Sequence, residues 1–353
     1  MDPALERLVV APQCHPGGQW DDRANPPWKE QPRGMETNGS FACEPDHRAF
    51  KRLMSQYAFA FAPTAMHSAR TTGYGGFHLS LQADYTSISN DASYWKLGTQ
   101  GPTDPTTNSS STFNSTPQSL LQLYSLTFRK SFGFGLEVAG LVGFMPKTSI
   151  ISGGADVRLS LLEGFRTGIG GILPDIAVGG GVRTITGTPQ FQMTIAGLDA
   201  QVSKPLPIQD MSVLTPYVGY QYLWIFADSG LIDLTPGTDA LRYCNYAGQN
   251  IPGQTDPDSL VEGSQQVPND GQPVCNGGSP LDFNNNVVFR NARLERHRLI
   301  FGLNYRYEMV MLGGQFLIDA VPPADAQNDD ADKDVLKDED RQFTLSFQLG
   351  AMF

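Results

Sequence analysis

The sequence predicts an all-β protein: a membrane-spanning antiparallel barrel of about ten strands, preceded by an irregular and helical segment placed to plug its lumen. Two observations carry that expectation. From Gly75 to Phe353 apolar side chains recur at every second position, the period of a strand with one oily and one polar face. The connections between these strands then alternate: those after odd-numbered strands include all three long loops and those after even-numbered ones are all short, as expected when the long loops leave one side of a membrane.

Composition allows this and excludes other classes. The chain has 353 residues, 40% hydrophobic and only 17% charged, with 37 glycines and 25 prolines. No stretch of eighteen apolar residues occurs, so no transmembrane helix is expected, whereas alternating strands leave average hydropathy unremarkable. A net charge of −11 argues against a nucleic-acid partner. The four cysteines fall into two local pairs, Cys14 with Cys43 and Cys244 with Cys275, in polar loop-like sequence without zinc spacing. Two disulfides in an oxidising compartment are expected, with four free thiols as the alternative.

Residues 1–46 are rich in proline, glycine and charge, and read as an irregular disulfide-tied segment. The opening MDPALERLVV lacks the basic and apolar regions of a secretory leader. The run after Lys51 and Arg52 carries Ser55, Gln56 and Pro63, and reads as a helix instead. From His47 to Phe61 helix formers dominate; Phe50, Leu53, Met54, Tyr57 and Phe61 share a face, and Pro63 ends the helix. That stripe packs either against the rest of the protein or on a membrane surface. The division expected is 1–74 for this segment, periplasmic or luminal, and 75–353 for the barrel.

The first strand, Gly75 to Ser89, puts Phe77, Leu79, Leu81 and Tyr85 opposite His78, Ser80, Gln82 and Asp84, and a long loop over 89–118 follows. The second strand turns through Gly133 and Gly135 into the third, the third through Pro146 to Ser149 into the fourth, and the fourth breaks over Gly164 to Gly171. A fifth strand begins near Ile172. In the sixth, Phe191, Met193 and Ile195 are odd whereas Leu198, Ala200 and Val202 are even, so a β-bulge near Ala196-Gly197 is expected. The seventh carries Val218, Tyr220, Tyr222, Trp224 and Phe226, and the long loop 230–290 follows it. The eighth and ninth meet in a tight turn near Glu308, and an acidic loop leads to the last strand.

That last strand, RQFTLSFQLGAMF, resembles the C-terminal strand of bacterial outer-membrane β-barrel proteins, in which a terminal phenylalanine is part of the signal read by the assembly machinery. The resemblance covers about Gly75 to Phe353; Ala351 stands where a larger apolar residue is usual. It implies location in the bacterial outer membrane and assembly through Phe347, Leu349 and Phe353. The helix followed by PTAMHSARTTGYGGF also resembles the segment ahead of the barrel in fatty-acid transporter-like outer-membrane proteins, whose N-terminus occupies the lumen.

If the oily faces meet lipid, the other faces meet the lumen. Inward positions then hold Asp84, Glu137, Asp156, Asp175, Glu308 and Asp319 against Arg129, Arg158, Arg183, Arg298 and Arg306. Ten strands enclose little more than side chains, so these charges are expected to pair across the bore. Arg290, Arg293 and Arg296 around His297 are candidates for lipopolysaccharide phosphates.

His78-Leu79-Ser80 matches the His-x-Ser spacing of outer-membrane phospholipases and lipid A deacylases, a base beside a nucleophile. No Asp-x-His pair of the omptin protease kind is present. Asp330, Asp332 and Asp334 have the alternating spacing of a calcium loop, but Val335 and Arg341 stand where an EF-hand needs glycine and glutamate. No cofactor is expected. The leading expectation is a narrow or plugged pore for small or hydrophobic solutes, or a structural membrane component. The alternatives are a surface protein binding an extracellular or periplasmic protein partner, and a lipid hydrolase using His78 and Ser80.

Overall fold

The computed structural model describes residues 47–99, 114, 116–163, 173–209, 211–233, 286–325, 336 and 339–353, together with the backbone of 14–15, 42–43, 244–246 and 273–275. Ten strands form the barrel: β1 Phe77–Ser87, β2 Leu120–Ser131, β3 Leu136–Phe144, β4 Ile151–Leu162, β5 Asp175–Thr186, β6 Phe191–Ser203, β7 Ser212–Ser229, β8 Ala292–Tyr307, β9 Val310–Asp319 and β10 Phe343–Met352. Each pairs antiparallel with its neighbours in sequence. β10 closes the sheet on β1, from Thr344 opposite Thr86 to Met352 opposite His78. Phe353 and Phe77 exchange backbone hydrogen bonds at the end of this seam. Full closure leaves no strand edge unpaired, which is what allows a sheet to sit in hydrocarbon.

The alternation reads out as expected on the outer wall. Leu81, Val142, Val157, Leu198, Val218, Phe347 and Leu349 all stand more than half exposed on the outside, while His78, Gln82, Asp84, Ser125, Arg129, Gln201 and Gln348 are buried within. In water that outer face is unfavourable; in a bilayer it is the matching surface. The connections over 88–119, 230–291 and 320–342 leave one end, and the turns at the other end are shorter, down to Glu308-Met309 between β8 and β9.

The expected bulge in β6 is absent. β6 pairs without a register break with β5 and with β7. Phe191, Met193 and Ile195 simply point inward, as Asp199 and Gln201 do, because the bore is apolar at that depth. The register shift in this part of the barrel lies in β4, between Ser160 and Leu162. β1 and β5 also begin later than the sequence suggests, at Phe77 and Asp175.

Helix α1, His47–Phe61, accounts for the apolar bore. Twelve of its fifteen residues are buried, so it is enclosed and does not lie on a membrane surface. Phe50, Leu53, Met54, Tyr57 and Phe61 pack in one cluster with the inward Leu121, Leu123, Ile185, Phe191, Met193, Ile195, Leu223 and Ile225. Each such side chain contributes about 1.5–3 kcal/mol on burial. A short helix in the first long loop, α2 Ser93–Gly98, adds Tyr94 and Trp95 to the same cluster.

The cysteines of each local pair stand opposite one another: Cys14 faces Cys43, and Cys244 faces Cys275, in two separate two-stranded ladders.

Candidate functional site: the lumen and the segment within it

The chain enters the bore at the long-loop end as α1 and leaves it at the short-turn end to start β1. At the entrance, Gln56 ties the helix to two loops. Its amide oxygen accepts from Trp95 Nε1 at 2.7 Å and from the Ser89 backbone at 3.1 Å. Its nitrogen lies 2.7 Å from the Tyr94 hydroxyl and 2.9 Å from Glu339 Oε2. Tyr94 donates to the same carboxylate at 2.8 Å, and Arg52 Nε lies 3.3 Å from its other oxygen. Burial pushes the Tyr94 phenol well up, and the Glu339 charge beside it adds to the effect.

Below this, two arginines of β8 receive the C-terminal part of α1. Arg296 pairs with Asp319 through Nη2 at 2.5 Å and Nε at 3.2 Å, and its Nη1 donates to the Ser55 carbonyl at 2.7 Å and to Gln342 at 2.6 Å. Arg298 donates to the Phe59 carbonyl at 3.2 Å, to the Pro63 carbonyl at 2.5 Å and to Gln221. Both guanidinium groups lie over the Phe59 ring, 4.6 and 5.0 Å from its centre. Carbonyls in the last turn of a helix have no partner within it, and cations there also meet the negative end of its dipole.

Pro63 then passes over a hollow made by Gly181 and Gly197, where a Cβ would lie 3.3 and 3.6 Å from the proline ring. Arg183 and Asp156 pair beside it at 2.7 Å through both nitrogens. Thr64 accepts from Gln82 at 2.8 Å and, through its carbonyl, from Gln315 at 2.6 Å. Gln82 also donates to Asp84. The space left here is a cavity of about 10 Å³ walled by Phe61, Thr64, Gln82, Asp84, Ser152 and Arg183, at most room for one water.

Toward the short-turn end, Arg158 pairs with Asp199 at 3.0 Å and bonds Gln201, which in turn donates to the Ala65 carbonyl at 2.8 Å. The Ala69 amide donates to Ser203 at 3.1 Å. Arg129 pairs with Glu137 at 3.2 Å, and Glu137 accepts from Ser131 and from the Thr72 amide. Glu163 accepts from the amide and hydroxyl of Thr71. The segment is thus bonded to the wall from one end of the bore to the other.

Of the charges expected inside, Asp84, Arg129, Glu137, Asp156, Arg158, Arg183, Arg298 and Asp319 face the lumen, and Asp175 is buried at the start of β5. Arg306 and Glu308 do not belong with them: both are exposed at the β8–β9 turn, where the barrel ends. Arg296 is no lipopolysaccharide contact either, being 1% exposed inside the barrel, because it shares the inward parity of Arg298. Arg293 does point outward, paired with Asp228 at 2.7 Å, and Arg290 is exposed. Asp199 was legible between the outward Leu198 and Ala200. Gln56 carried no sequence signal, since its partners come from two distant loops.

His78 and Ser80 form no nucleophile–base pair. Ser80 accepts from Gln348 at 2.7 Å, and neither His78 nitrogen has a hydrogen-bond partner among the described residues. Asp330, Asp332 and Asp334 lie outside the described residues.

No family model matches the chain, and no curated protein matches it. Solved structures do. The attachment invasion locus protein Ail of Yersinia pestis, in complex with the heparin analogue sucrose octasulfate, is 9% identical, covering 80% of this chain and 100% of its own with a TM-score of 0.25. The outer-membrane protein Omp33 of Acinetobacter baumannii is 8% identical over 79% of this chain and 97% of its own, TM-score 0.23. The KdgM porin is 8% identical over 78% and 99%, TM-score 0.23. Likeness this low adds nothing to the argument about function, and the class rests on the architecture itself. A closed antiparallel barrel of ten strands, apolar outside and polar within, with long loops at one end, defines an integral β-barrel protein of the bacterial outer membrane.

Proposed function

We propose that this protein is a gated outer-membrane pore, closed at rest by residues 47–72 and passing small solutes when that segment shifts. The observation that carries the reading is the course of the segment through the bore, bonded to the wall from Ser55 to Thr72, with a cavity of only about 10 Å³ beside Asp84 and Arg183. Two features favour a movable closure over a permanent core. The segment joins β1 through Gly73 and Gly75, both at positive φ, a joint that glycine makes at no steric cost. Its polar hold on the loops centres on Gln56, which bonds Tyr94, Trp95 and Glu339, and on Arg52, which pairs with the same Glu339. Swelling of proteoliposomes in small sugars tests the proposal. The protein lacking residues 1–74 admits them and the full chain admits them far more slowly; equal rates overturn it.

A second reading, a surface interaction protein, is favoured by one observation. β8, of 16 residues, runs past β9, of 10, at the long-loop end: Arg298 faces Asp319, the last residue of β9, while Ala292 to His297 continue beyond it and pair with β7. This part of β7 and β8 forms a raised support for the loop over 230–291. Deletion within that loop, with barrel assembly intact, abolishes attachment of a protein partner to cells if this reading holds and leaves it unchanged if it fails.

A further inference from the structure

At the short-turn end, the arc of β1 to β3 differs from the rest of the rim. The turn between β2 and β3 places Phe134 at φ 62°, ψ 27°, a left-handed conformation that a bulky side chain rarely adopts, and leaves it completely exposed. Gly133 and Gly135 flank it, yet the strained position is given to the aromatic. Tyr74, 91% exposed, lays its ring 3.7 Å from where a Cβ of Gly133 would stand. Directly above this knob Phe77 and Phe128 meet on the outer wall, ring centres 5.7 Å apart. Lys130, the cross-strand partner of Phe77, holds its ammonium 3.5 Å from the centre of the Phe77 ring. It donates to the Gly75 carbonyl at 2.7 Å.

We propose that this arc is a binding site for one phospholipid of the leaflet on the short-turn side. The aromatic knob sits at headgroup level, the acyl chains lie on Phe77 and Phe128, and Lys130 bonds the phosphodiester. Three arguments favour lipid as the occupant. The patch is continuous with the apolar belt that faces the bilayer. Aromatic side chains at the end of such a belt mark the membrane–water boundary. An ammonium has three donors, of which the Gly75 carbonyl uses one, so donors remain for a phosphate held at the ring face. The site also touches the luminal segment: Tyr74 and Gly75 belong to its joint with β1, so a bound headgroup steadies the backbone through which that segment would have to swing.

The test is native mass spectrometry of the full-length protein in detergent with added phosphatidylglycerol, beside diacylglycerol, which keeps the chains and lacks the phosphate. The proposal expects one retained phosphatidylglycerol and little retained diacylglycerol, with inorganic phosphate unable to displace the lipid. Lys130→Gln lowers retention by about tenfold, the loss of one charge-assisted contact. Phe134→Gly relieves the left-handed strain, so it folds, and it lowers retention severalfold. Retention unchanged in both variants, equal retention of diacylglycerol, or displacement by inorganic phosphate would overturn the site. Sugar entry through the protein lacking residues 1–74 is independent of all these outcomes.

Discussion

Tyr57 of α1 stacks on Phe191 of β6, ring centres 5.7 Å apart and planes inclined by 23°, while its edge meets Trp95 of α2 at 5.1 Å. One helix residue therefore joins the barrel wall beneath it to the loop above it.

Removing that ring loosens the helix without touching a barrel strand. Tyr57→Ala deletes a large buried aromatic, a loss of about 3–5 kcal/mol in docking. Amide exchange over His47–Phe61 accelerates by orders of magnitude while exchange in β1 to β10 stays slow. Unchanged exchange in the helix would show that other contacts alone hold it.

The Arg296–Asp319 pair predicts a different outcome, since both groups are buried at 1% side-chain exposure or less. Asp319→Ala leaves the guanidinium without its counter-charge and frees the Gln342 amide, which Asp319 accepts at 3.0 Å. A cost of about 3–5 kcal/mol is expected. It is read as a lower midpoint in guanidinium unfolding of the reconstituted protein. Removal of the exposed Glu308 by Glu308→Ala changes the midpoint little.

Tyr94 makes the loop contact sensitive to alkali. Its phenol is held above the usual value by burial and by Glu339. Its stabilising effect is therefore full below the ordinary tyrosine value of about 10 and is lost as pH rises beyond that toward the raised folded value. Protease cleavage within 88–99 increases above pH ~10. In Tyr94→Phe, which has no proton to lose, cleavage is already raised at neutral pH and rises less with alkali.

The facing positions of Cys14 with Cys43 and of Cys244 with Cys275 predict two disulfides with those partners and no others. Iodoacetamide labelling of the denatured protein gives no adduct before reduction and four after it. Four adducts without reductant would show free thiols.

Most of the barrel was legible in the sequence, because a closed sheet with lipid outside and polar groups inside imposes one period on every strand. Leu79, Leu81, Phe347 and Leu349 declare their face by parity alone. What misled was β6, where Phe191, Met193 and Ile195 look as if they belonged to the lipid side. They are apolar because α1 lies against them, a contact more than a hundred residues away along the chain. The same blindness put Arg296 on the surface: a run of arginines looks solvated until the parity of its two inward members is counted from Leu299. The bonds of Gln56 depend on loops folding over a helix, and no local pattern encodes that.

Gly181 lies against Pro63, where the luminal segment is seated in the wall. A side chain there collides with the Asp156 carboxylate and reaches Pro63, so Gly181→Leu expels the luminal segment from its seat without shortening the chain. Single-channel recording in planar bilayers of the native chain, of Gly181→Leu and of the protein lacking residues 1–74 decides the matter. The native chain is predicted to be silent or to open rarely, and both altered proteins to conduct steadily. Steady conductance of the native chain at the level of the truncated one, or silence from all three when each is folded and inserted, would contradict closure of the lumen by this segment.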